Sequence, residues 1–180
     1  GFLAYDAAFT GGVHVAVADV NGDGRPDIIT VPSYGAAEVR VFFNRYPQAP
    51  AFRAAPDVTF QAFPVVSIGG AVVAAADMGK LVDGRFDTVP DGKAEIVVGT
   101  GSGVTASVSV FDLTGTVPTR VQTFFPFTAI TASFKGGVSL EVARIDADLI
   151  PDVIVGMGAN GASRIEVWTW NTLAARISPL

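Results

Sequence analysis

Short apolar runs, separated by glycine- and acid-rich turns, fill the chain from end to end. Val13-His14-Val15-Ala16-Val17-Ala18 alternates with period two, which marks a strand with two unlike faces. The polar stretch Asp19 to Asp27 follows. After it come the β-branched run Ile28-Ile29-Thr30-Val31, a turn from Pro32 to Gly35, and a further strand, Val39-Arg40-Val41-Phe42-Phe43. The order returns twice. Gly69-Gly70 lead into Ala71 to Ala76, a loop ending at Asp91 to Glu95, then Ile96-Val97-Val98-Gly99 and Val108-Ser109-Val110-Phe111. Gly136-Gly137 lead into Val138 to Ala143, a loop holding Asp146, Asp148 and Asp152, then Val153 to Gly156 and Ile165 to Trp168. No stretch has a helical period.

A fourth strand is expected between units, at Phe60 to Phe63 and at Phe124 to Phe127, with Phe2 to Tyr5 in the same phase before the first. Four short antiparallel strands in a repeat of this size describe a β-propeller blade. The fold class is therefore all-β: a single repeat domain over 1–180, with three four-stranded blades at about 9–63, 67–127 and 134–180. The strand at 2–5 is able to complete the last blade. Closed propellers have about four to eight blades, so three belong either to a larger propeller or to half of a six-bladed dimeric ring. An unclosed three-unit structure ranks below both. The chain opens on Gly1 without Met or a basic leader, which reads as a processed product or a piece of something longer.

The first acidic stretch, Asp19-Val20-Asn21-Gly22-Asp23-Gly24-Arg25-Pro26-Asp27, spaces oxygen-bearing side chains at Asp19, Asn21, Asp23 and Asp27 around a turn glycine. Such alternation suits one hard cation, since Ca²⁺ takes six to eight oxygen ligands. Arg25 would contribute its backbone carbonyl. With no His or Cys nearby, zinc and copper are disfavoured. A plain acidic hairpin turn is the competing reading. The second loop keeps Asp77, Asp91 and Glu95, with Lys93 in the place of Arg25 and again offering its carbonyl. Gly79 replaces the asparagine, and an insertion from Gly79 to Pro90 offers Asp83 or Asp87 instead. The third loop has Asp146, Asp148 and Asp152, but Arg144 stands where Asp19 stands and Leu149 where Gly24 does. A guanidinium there can replace the ion and pair with the carboxylates.

The first loop, preceded by Gly11-Gly12-Val13 and followed by Ile28-Ile29-Thr30, resembles the FG-GAP/VCBS repeat family, which includes integrin α-chain propeller blades and many bacterial surface and secreted proteins. The resemblance extends over nearly the whole chain as three repeats, the second and third degenerate. It implies blades whose acidic loop joins the first two strands and holds Ca²⁺. It also implies an extracellular or cell-surface setting, with cell adhesion, ligand or carbohydrate binding, or structural support beside other domains.

Composition narrows the chemistry. A net charge of −5 disfavours nucleic acid, which demands basic patches, and no apolar run is long enough for membrane insertion. Without cysteine there is no disulfide, thiol catalysis or Cys-bound zinc. The single histidine, His14, cannot furnish a catalytic triad on its own. Every clustered acid already has a place in a repeated loop, which weighs against a glycosidase pair. The glycine-rich turns lack the helix of a phosphate-binding loop. Trp168 aligns with Phe42 and Phe111, as core aromatics do; Trp170, Tyr34 and Tyr46 have no such counterparts and are the candidates for stacking on a glycan. The expected protein is non-enzymatic: a Ca²⁺-stabilised extracellular module for a protein or glycan ligand, with a lectin-like propeller or an architectural segment of a larger protein as alternatives.

Overall fold

The computed structural model describes residues 1–64, 69–82, 85–87, 89–129, 133–171 and 176–179, and these form strands and turns with no helix. The first sheet holds β1 (Val13–Ala18), β2 (Asp27–Pro32), β3 (Glu38–Phe42) and β4 (Val58–Gln61), each antiparallel to its neighbour and in sequence order. The second begins with β5 (Gly69–Ala76). A small hairpin, β6 (Leu81–Val82) with β7 (Arg85–Phe86), interrupts it, and β8 (Glu95–Ser102), β9 (Val108–Thr114) and β10 (Val117–Phe124) complete it in the order β5-β8-β9-β10. The third runs β11 (Val138–Ala143), β12 (Asp152–Met157), β13 (Ile165–Asn171) and β14 (Arg176–Pro179). These are three four-stranded, propeller-like blades.

Period-two alternation gives each sheet two faces, and both seams between blades follow from it. Ala16, Ala18, Ile29, Val31, Val39 and Val41 of the first sheet pack against Ala71, Val73, Ala75, Ile96, Val98 and Phe111 of the second. The opposite face of the second sheet, with Val72, Val97, Val108, Val110 and Phe124, packs against Val138, Leu140, Val142, Val153, Val155 and Trp168 of the third. Each fully buried Val, Ile or Phe contributes roughly 1.5–3 kcal/mol. Trp168 lies in this second seam, its ring 4.5 Å from that of Phe124, as its alignment with Phe42 and Phe111 implies.

Each seam is closed at one end by a Gly-Gly pair. Gly70 N–H donates to the Gly35 carbonyl at 3.2 Å, and Gly103 N–H donates to that of Lys135 at 2.8 Å. Gly69 and Gly136 make isolated bridges to Gly35 and Ser102. Gly70 and Gly137 have φ of +75° and +77°, and a Cβ on Gly70 would lie 2.2 Å from the carbonyl carbon of Ser33. Here one sheet's entry strand presses on the preceding sheet's turn. The first sheet has the same apparatus, Gly12 at φ +80° included, but Val13, Val15 and Val17 are 40%, 57% and 60% exposed, whereas their counterparts Ala71, Val73 and Val138 are buried.

Three boundaries differ from expectation. The fourth strand of the first blade is Val58–Gln61, and Ala62 and Phe63 leave the sheet to plug the core. In the second blade Gly115, at φ +64°, tightens a hairpin that begins β10 at Val117; β10 ends at Phe124, because Pro126 has no N–H and Phe127 sits at φ +67°. Residues 2–5 are not a strand. Arg40 Nη1 donates to the Ala4 carbonyl, the Tyr5 hydroxyl donates to that of Glu38, and the Phe2 ring lies 4.7 Å from that of Phe42, so the segment covers part of the first sheet. The outer strand of the third sheet is Arg176–Pro179.

Gly70→Ala and Gly35→Ala separate close approach from dihedral strain. Gly35, at φ +93°, has nothing within 4 Å of the added Cβ and should cost about 1–2 kcal/mol. Gly70→Ala should cost at least about twice that in urea denaturation; equal costs would show that the seam does not depend on this contact.

Candidate functional site

Strand register places the three acidic turns alike. Asp27, Glu95 and Asp152 pair with Ala18, Ala76 and Ala143, the last residues of their blades' inner strands. All three acids are buried. Each accepts the N–H of the second residue of its turn: Asp27 from Val20 at 3.1 Å, Glu95 from Met78 at 2.7 Å, Asp152 from Ile145 at 3.1 Å. The last acid of each loop is thus a structural clamp on a backbone amide; at Val20 and Met78, both buried, that amide would otherwise lack a partner, at a cost of about 1–3 kcal/mol.

The remaining acids organise the turn itself. In the first loop Asp19 accepts the N–H groups of Gly22 at 2.7 Å, Asp23 at 3.2 Å and Gly24 at 2.6 Å. Asn21 accepts from Asp23 N–H at 2.9 Å and Asp23 from Arg25 N–H at 3.0 Å. The Arg25 guanidinium pairs with the second oxygen of Asp23 at 3.0 Å. The second loop repeats much of this in spite of its insertion. Asp77 accepts from Gly79, Asp91 and Gly92, the last at 2.6 Å, and Asp91 accepts from Lys93 N–H at 3.0 Å. Gly24 and Gly92, at φ +81° and +83°, make the same turn. Asp87 holds its own hairpin through Lys80 and Val89 N–H, and Asp83 lies outside the described residues.

In the third loop Asp146 and Asp148 accept from Asp148 and Ile150 N–H at 3.0 and 2.8 Å, as Asn21 and Asp23 do from their partners. Arg144 reverses the polarity of the Asp19 position: its Nε donates to the Asp148 carbonyl at 3.0 Å. No ion pair to Asp146, Asp148 or Asp152 accompanies that bond among the described residues. Asp152 Oδ1 is buried without a hydrogen-bond partner, whereas Asp27 Oδ1 takes the Asn44 N–H at 2.8 Å.

Electrostatics set the loops apart. Burial pushes the Asp27 carboxyl up; the Asn44 and Val20 amides pull it down, and the charges of Asp23 and Asp19 add to the rise. Glu95 is pushed up to about 9, first by burial and then by Asp112, Asp77 and Asp91, against the pull of Met78 N–H. The Lys93 side chain lies 2.5 Å from Asp112 and donates to the Leu113 carbonyl at 2.6 Å. Asp112 thus joins this loop from β9, a residue no loop spacing points to. Among the described residues no three His, Cys, Asp or Glu side chains form a ready cage for a metal. The donor chemistry of the first loop still fits a hard cation: every side-chain donor is oxygen, and the negative field at Asp27 is one that a cation would relieve.

Around the first loop stand residues that its spacing does not reveal. Asn44 donates from Nδ2 to the Pro26 carbonyl at 3.1 Å, and Arg45 pairs with Asp57, which also takes Phe43 N–H. A cavity of about 420 Å³ opens beside Asn21, Asp23 and Arg25, lined further by Tyr46, Gln48 and Arg53. The signal in the sequence was the long proline- and alanine-rich stretch after Phe43, which the other repeats lack. Tyr46 and Tyr34 are both 68% exposed, and the Trp170 side chain lies outside the described residues. His14 is exposed on β1.

The fold and its repeated turns define an all-β protein of propeller-type blades, the class that binding and structural repeats build. The family model of the FG-GAP repeat matches residues 11–42, from the Gly-Gly pair through β1, the acidic turn and β2 to the end of β3. The first blade thus carries an FG-GAP repeat. No curated protein matches the chain. No described helix is long and apolar enough to cross a membrane.

The clamp of Glu95 has a pH signature. Its folded pKa lies above that of a free glutamate, so the folded state binds the extra proton. Its stabilisation is complete below about pH 4.5 and is lost as pH rises towards 9. In EDTA, urea midpoints of the wild type should fall between pH 5 and 9, and Glu95→Gln should flatten that slope; parallel profiles would reject a protonated Glu95.

Proposed function

We propose that the chain is a Ca²⁺-stabilised extracellular binding or adhesion module, with the cation structural and no catalytic role. The observation that carries this reading is the first turn: oxygen donors from Asp19, Asn21, Asp23 and Asp27, and the Arg25 carbonyl, on a loop whose buried acid is pushed up by burial and by its neighbours' charges. A bound Ca²⁺ would offset that repulsion and tie the two ends of the turn together. Asp77, Asp91, Glu95 and the Lys93 carbonyl form a second, less complete set, since Glu95 is buried and favours its protonated form. The third loop, with Asp146, Asp148 and Asp152, is the weakest: Arg144 already bonds the loop where Asp19 would offer a carboxylate.

Extracellular Ca²⁺ modules bind at about 10⁻⁴–10⁻³ M, and a tenfold excess of ligand over the dissociation constant adds about 1.4 kcal/mol. The melting temperature should therefore rise with Ca²⁺ and fall back in EDTA. Asp23→Ala should remove most of the rise and Asp148→Ala little of it. A wild type indifferent to Ca²⁺ would overturn the reading.

The uncovered face of β1 supports a second element, assembly with further blades. Val13, Val15 and Val17 occupy positions that are seam residues in the other two sheets, and the Gly11-Gly12 pair beside them is already shaped for a seam. The partner is either a second copy or contiguous blades of a longer chain. Sedimentation distinguishes them: a dimer that Val15→Lys dissociates supports the second copy, and a wild type monomeric at all concentrations excludes it.

A further inference from the structure

The connection between β3 and β4, residues 43–57, is far longer than closing a strand pair requires. The second blade makes the equivalent connection with residues 115–116 alone. Long loops that persist on a compact scaffold tend to be functional. This one is also built: Arg45 N–H donates to the Ala51 carbonyl at 2.8 Å, Gln48 N–H donates to that of Arg45 at 2.8 Å, and Tyr46 N–H donates to Asn44 Oδ1 at 3.0 Å. The Arg45–Asp57 pair anchors its base. Held in this way against the first acidic turn, it forms one wall of the 420 Å³ cavity.

The lining has a definite chemistry. In a chain of net charge −5 with only 12 Lys and Arg, three arginines converge here: Arg25, Arg45 and Arg53. Arg25 is engaged by Asp23 and Arg45 by Asp57. Arg53 is exposed and makes no hydrogen bond or ion pair among the described residues, acting on Asp57 only through its charge. A planar guanidinium with free donors matches a carboxylate bidentately. Beside it the ring of Tyr46, 68% exposed, offers an apolar face with an electron-rich surface, suited to the C–H face of a pyranose. Gln48 adds an amide with both donor and acceptor. The volume lies in the range of small-ligand sites.

We propose that this cavity binds a carboxylated saccharide, such as a uronic-acid oligomer. Arg53 takes the carboxylate, Tyr46 stacks on the sugar face and Gln48 bonds a hydroxyl. The site does not depend on the cation reading, although Asn21 and Asp23 border both.

The test is calorimetric titration of the whole chain with oligogalacturonate, run in EDTA and again in millimolar Ca²⁺, beside a neutral galactan oligomer and polyglutamate. Oligogalacturonate should bind, and Arg53→Ala and Tyr46→Ala should each weaken it by about tenfold or more. Arg53→Lys should lose less than Arg53→Ala. The alanine variants should keep the melting temperature of the wild type and its response to Ca²⁺. Binding of oligogalacturonate in neither buffer overturns the proposal. So does equal binding of the neutral oligomer, which removes the role of the carboxylate, or of polyglutamate, which removes that of the sugar. A wild type that binds the saccharide but ignores Ca²⁺ would remove the cation reading alone.

Discussion

Everything in this molecule depends on how closely one sheet can approach the next. The Gly-Gly pairs at Gly69-Gly70 and Gly136-Gly137 set that distance, because at Gly70 backbone stands where a side chain would be. The approach lets small residues such as Ala16, Ala71 and Ala75 fill a seam between two sheets without large voids. It also fixes the phase of the inner strands, so that the odd positions of one strand meet the even positions of the one before. The alternation of Val13 to Ala18, of Ala71 to Ala76 and of Val138 to Ala143 makes physical sense only with a sheet on both sides. The second blade has that arrangement and the first does not.

The acidic turns divide their labour between burial and exposure. One acid per loop, Asp27, Glu95 or Asp152, is buried and clamps a backbone amide; the others are half-buried or exposed and shape the turn through their own backbone. This explains why the loops resemble one another so closely in hydrogen bonding while differing in chemistry. Asp77 reproduces the bond of Asp19 to the turn glycine although a hairpin has been inserted between the loop's two halves. Arg144 keeps the third loop closed with a donor where the others use an acceptor.

Much of this was legible in the chain. Gly-Gly pairs, period-two runs and evenly placed acids together indicate strands, turns and a repeat, because backbone sterics and side-chain alternation are local properties. The ends of strands were less legible. Phe60 to Phe63 and Phe124 to Phe127 read as strands by composition, yet Phe63 and Phe127 serve the core outside any sheet. Phe2 to Tyr5 had the right phase for a blade's outer strand, but the bonds from Arg40 and Tyr5 hold it against the first sheet. Aromatic residues prefer burial wherever it is offered, and composition does not say on which surface. Asp112 and Arg53 were invisible for a related reason. Their importance comes from neighbours far away in sequence, Lys93 and the first acidic turn.

The amino-acid order by itself determined the class of fold, the number of blades and the position of each acidic turn, since these follow from periodicity and from glycine's freedom at positive φ. Tertiary structure alone decided which acid of each turn is buried, which aromatic rings enter a seam and which remain in water, and that the connection after Phe42 becomes the wall of a cavity. The reason is that burial and proximity depend on which sheet lies opposite, and one strand cannot specify that through its own residues.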